Sequence, residues 1–83
     1  MIIKLISEEA TLSAADTVGL ASCVRVYNNS GSEVLITRRD SSNNVLGSCT
    51  LANNEVSFLQ KLSTDTLEAG ANVLVTSVAF TIS

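Results

Sequence analysis

Four clusters of Asn, Asp, Ser, Thr and Gly cut this chain at nearly even intervals: 28–32 (Asn-Asn-Ser-Gly-Ser), 40–44 (Asp-Ser-Ser-Asn-Asn), 52–55 (Ala-Asn-Asn-Glu) and 63–66 (Ser-Thr-Asp-Thr). Such residues favour turns because Asn and Gly tolerate positive φ and short polar side chains bond their own backbone. Turn signals every 10–12 residues leave no room for a helix of ordinary length. They leave runs of five to eight residues rich in Val, Ile, Leu and Thr, the mark of an antiparallel sandwich or barrel. The spacing therefore predicts an all-β fold, a small antiparallel β-sandwich or barrel-like domain. With 83 residues the chain makes one domain, 1–83.

The strands follow in order. Residues 2–6 read as a short strand, and Ser7–Gly19 as a loop or irregular strand. SCVRVYN at 22–28 and EVLITRR at 33–39 are clear strands. VLGSCTL and EVSFLQKL are expected to pair through the Ala52–Glu55 turn. The last strand, 72–82, is expected whole or broken near Ser77. The expected core is Val24, Val26, Ile36, Val56, Phe58, Val78 and Phe80, on alternate positions.

Alternation is incomplete, and this bears on function. Leu35 opposes Val34 and Ile36, Leu59 opposes Val56 and Phe58, and Val73 and Val75 oppose Leu74 and Val78. A sheet with one wet face should alternate apolar and polar. A second apolar face on a chain too short to cover it predicts cover by another subunit. Charged residues are only 16% of the chain, which protects little against association. Leu35, Leu59, Val73 and Val75 are thus the expected interface. Arg38 and Arg39 are expected to meet acidic turns of a neighbouring copy, where a planar guanidinium suits a carboxylate. The alternative is a solvated sheet face bordered by acids. Lys61 and Arg39 are read as guards against edge pairing.

Several function classes are weakened. There is no histidine, so the commonest general base and metal ligand is missing. No nucleophile-elbow, phosphate-loop, dinucleotide or calcium-loop pattern occurs. Asp16, Asp40 and Asp65 read as turn residues accepting backbone N–H bonds. A non-enzyme without cofactor or metal is expected. A net charge of −3 weighs against nucleic acid. Cys23 and Cys49 lack metal-site spacing and are expected to be small buried thiols rather than a bridge. The first apolar run is too short for a signal peptide, and 71–82 is too short to span a bilayer as a helix, so no membrane association is expected.

Val24-Arg25-Val26, Ile36-Thr37-Arg38, Glu55-Val56 through Lys61, Thr64-Asp65-Thr66-Leu67 and the Val73–Phe80 ending resemble small virion-associated proteins of tailed bacteriophages, notably those infecting cyanobacteria. The resemblance spans about residues 22–80. It implies a virion structural component, such as a capsid decoration or cement protein, made in the host cytoplasm. Its partners would be its own copies and the major capsid protein or another virion protein. Two other classes stand beside it. One is a receptor- or carbohydrate-binding module of a tail appendage, which the lack of Trp for sugar stacking disfavours. The other is a small phage regulator of a host protein.

Overall fold

A computed structural model describes residues 2–81. Eight strands are present and no helix among the described residues: β1 (Ile2–Leu5), β2 (Ala10–Leu12), β3 (Cys23–Tyr27), β4 (Val34–Arg39), β5 (Val45–Leu51), β6 (Val56–Gln60), β7 (Thr66–Ala69) and β8 (Val73–Thr81). They form two antiparallel sheets. One runs β1-β8-β3-β6, with β2 also on β8; the other runs β5-β4-β7. The expected all-β class holds, as a sandwich rather than a closed barrel. Residue 82, at the end of the expected last strand, lies outside the described residues.

The pairing departs from expectation in an instructive way. VLGSCTL and VSFLQ do not pair with each other: β5 lies on β4, while β6 lies on β3 in the other sheet. The clusters at 28–32, 52–55 and 63–66 are corners that carry the chain from sheet to sheet. Only 40–44 closes a hairpin, where Asp40 Oδ1 accepts the Ser42 and Asn44 N–H groups, both at 2.9 Å, and Asn43 takes φ 68°. A register shift beyond Arg38 leaves Leu46 without a cross-strand partner on β4.

Asn28 binds two of the corners together. Its backbone N–H donates to Glu55 O at 2.9 Å, and its carbonyl accepts from Asn54 N at 2.7 Å. Its Nδ2 lies 2.8 Å from Ser32 O and 3.1 Å from both Leu51 O and Ala52 O. Its Oδ1 accepts the Ser30 N–H and hydroxyl. The side chain is fully buried. Asn28 thus serves through its hydrogen bonds; its φ is not positive, unlike that of Gly31 and Asn54.

Cross-strand register sets the faces. Val24 and Val26 of β3, Val73 and Val75 of β8 and Leu12 of β2 meet Val34, Ile36, Leu51 and Leu67 of the smaller sheet in one aliphatic core. Val56, Phe58 and Phe80 are not in it. They sit on the outer face of the larger sheet, 40%, 39% and 38% exposed. Val78 is buried, but against that outer side rather than within the aliphatic cluster. A core filled by Val-sized residues from both sheets has no space for two phenyl rings.

β8 is unbroken at Ser77 but changes partner there. Residues 73–75 pair with β2 and residues 78–81 with β1. Ser7 Oγ accepts the Ser77 N–H at 3.1 Å and seals the switch. The 7–19 segment holds β2 and then one left-handed turn: Val18, Gly19 and Leu20 have φ of 55°, 66° and 59°. β-Branched Val is rare there. The turn is held by a backbone bridge between Asp16 and Leu67 and by the Asp16 carboxylate on the Val18 N–H at 2.8 Å.

Candidate functional site

The six expected interface residues separate into three groups. Val73 and Val75 are 0% and 4% exposed in the core, so they form no outer face. The physical reason is that both faces of β8 are apolar, and periodicity does not say which one turns inward. Leu35 is 51% exposed and shares a shallow groove with Arg39 on the outside of the smaller sheet. Arg38 and half-buried Leu59 line a cleft between the sheets. Leu59 packs against the core, so a charge placed there would enter packed structure.

Both arginines have acidic partners within the chain. Arg38 Nη2 lies 2.7 Å and Nε 2.8 Å from Asp65 Oδ2, and Arg39 Nη2 lies 3.3 Å from Glu68 Oε1. Arg25 pairs with Glu9 at 3.0 Å. Lys61 does not guard an edge. It follows β6, is 3% exposed, and donates to the carbonyls of Ala21 at 2.5 Å, Leu62 at 3.3 Å and Ser63 at 3.5 Å. It thereby satisfies carbonyls at the end of the left-handed turn and in the 61–65 corner.

This knot has a defined pH sign. Burial works against the Asp65 carboxylate, but the Arg38 guanidinium and the Leu62 N–H outweigh it and hold the group below the usual carboxylate range. Burial pushes the Lys61 ammonium down, partly offset by Asp65. The Asp40 carboxyl is also lowered, first by the Asn44 N–H. For a carboxyl lowered in the folded state, the unfolded chain binds protons first as pH falls. Its contribution is present above the ordinary range, about pH 4, and is lost below it through the folded value. The urea midpoint should therefore decline below about pH 4. In Asp65→Asn it should be lower at pH 7 and decline less on acidification. An acid limb as steep as wild type would clear Asp65 of the role.

The thiols are free. Cys23 is half-buried, and burial raises its pKa; Cys49 is exposed, contrary to expectation, because it lines the open cleft. That cleft, of about 240 Å³, runs between β5 and β6 over Ile36 and Leu67. β5 and β6 are terminal strands of their sheets, and neither carries a charge. Native edges are usually blunted by charge, proline or cover; these are not. Among the described residues no three Cys, Asp or Glu converge as a metal site, and no helix is long and apolar enough to cross a membrane.

An apolar row crosses the outer face of the larger sheet. Ile3 pairs with Phe80, and the Phe80 ring meets Phe58 edge-on at 5.4 Å and 70°. Periodicity alone places both rings inside, but they lie on the outer face. Comparison with protein-family models, with curated proteins and with solved structures finds no match.

Proposed function

We propose that the protein is a non-enzymatic structural subunit that works assembled, as a decoration or cement component of a phage particle held by contacts between copies and to capsid protein. The observation that supports self-association is the surface. Twelve large hydrophobic residues are 37–68% exposed among the described residues, and several of them join into the Ile3–Phe80–Phe58 row. Scattered apolar residues are ordinary on a surface, but a joined row marks an interaction site. A stable interface takes about 800 Å² per partner, roughly a sixth of the 4933 Å² here. The particle itself enters from the sequence resemblance at Val24–Val26, Ile36–Arg38 and Val73–Phe80.

Two measurements test the reading. Sedimentation over a wide concentration range should show a mass rising above one copy. A mass-spectrometric inventory of purified particles should contain the chain. A protein that stays monomeric at high concentration, is absent from particles and does not bind particles lacking it has another role.

A further inference from the structure

We propose that the two ends of the larger sheet are the two halves of one contact: β1 of one copy docks on the β6 edge of the next, so that the sheet continues from copy to copy. The inference rests on the self-association proposed above and assigns its surface.

The receiving end is β6 with its neighbour β5. Both are terminal, both are uncharged, and the cleft between them opens onto Ile36 and Leu67. The residues that sequence suggested as edge guards lie elsewhere. Lys61 is buried behind β6, and Arg39 sits on the central strand β4. An unguarded edge is a template for another strand.

The entering end is β1. All four of its residues are exposed, it supplies nothing to the core, and it is the terminal strand at the other side of the same sheet. Leu5 and the following Ile6 are 68% and 61% exposed. Within its own copy this apolar strand packs only along β8 and leaves its other edge open. Its four residues are one fewer than the five of β6.

Charge favours the same pairing. Arg25, Arg38 and Arg39 have carboxylate partners, and Lys61 has carbonyls. Lys4 of β1 is the one cation whose charged group has neither an ion-pair nor a hydrogen-bond partner among the described residues. Glu55 stands at the head of β6; among the described residues only its Oε1 is engaged, by the Ala52 N–H. A β1 strand on β6 brings Lys4 toward that acid. A two-fold pairing of β6 with β6 would leave β1 uncovered and Lys4 unpaired. Joining unlike ends is a heterologous contact, which closes into a ring or runs on as a filament.

The test uses one lysine on each half. Leu5→Lys spoils the entering strand and Val56→Lys the receiving edge; both positions are exposed enough for the new ammonium to reach water. Circular dichroism and a thermal melt establish that each variant is folded. In sedimentation each alone should run as one copy where wild type is larger. Mixed in equal amounts they should form a complex of two copies and no more, because only one intact junction remains. If either variant assembles like wild type, or the mixture stays monomeric, the contact is wrong while self-association stands. A wild type that never exceeds one copy ends both.

Discussion

Asn28→Asp should leave the chain unfolded at neutral pH. The amide has no exposure, and its Nδ2 faces the carbonyls of Ser32, Leu51 and Ala52. A carboxylate of the same shape has no hydrogen to give them. It sets a negative charge against three carbonyl oxygens in a site that water does not reach, where an unpaired charge is far costlier than an unpaired dipole. Asn28→Ala is the milder change, yet it strands those carbonyls and the Ser30 N–H. At about 1–3 kcal/mol for each buried group left unsatisfied, relieved where water can enter, the sum is on the order of 3–5 kcal/mol. A chain of this length holds about 5–10 kcal/mol in all. Urea denaturation of Asn28→Ala should show a midpoint cut by about half, and Asn28→Asp should give a spectrum without the sheet signal at pH 7. A wild-type midpoint in either would mean that the corners at 28–32 and 52–55 hold together by other means.

Asn28 also shows where sequence reading stops. The turn chemistry at 28–32, 52–55 and 63–66 was legible as turns, and the all-β class followed from their spacing. Whether a turn folds its strands side by side or throws the second strand onto the opposite sheet is not encoded in that chemistry. It is decided by contacts far along the chain, here Asn28 with Leu51 and Glu55 and, at the third corner, Asp65 with Arg38. The same limit governs the faces. Val24 and Val26 were legible as core because Cys23, Arg25 and Tyr27 alternate with them. On β8 nothing polar distinguishes Val73 and Val75 from Leu74 and Val78, and the inward side was not legible. Lys61 looked like an edge charge because its carbonyl partners at Ala21, Leu62 and Ser63 come from two separate loops. The bare β5 and β6 edges follow from two placements the sequence does not encode: β4 with Arg39 is the central strand of its sheet, and Lys61 is buried after β6.

The aromatic residues invert the usual rank of core substitutions. Leu67→Ala should cost about 2–5 kcal/mol. Leu67 is 1% exposed, packs between the sheets from β7, and its backbone is bridged both ways to Asp16, so the surroundings have little freedom to close a cavity. At roughly 4–8 °C per kcal/mol for a domain of this size, the melting temperature should fall by on the order of 10–40 °C. Phe58→Ala removes a larger side chain but should cost much less, about 1–2 kcal/mol. Phe58 keeps 39% of its surface in water, and its specific contact is the single edge-on meeting with Phe80. The comparison belongs at a concentration where the protein is monomeric, since a ring on the β6 edge would gain burial from a second copy and assembly would raise its apparent contribution. There, urea midpoints should fall far more for Leu67→Ala than for Phe58→Ala. The reverse order would place Phe58 inside the sandwich and remove the exposed row on which the proposed contact between copies depends.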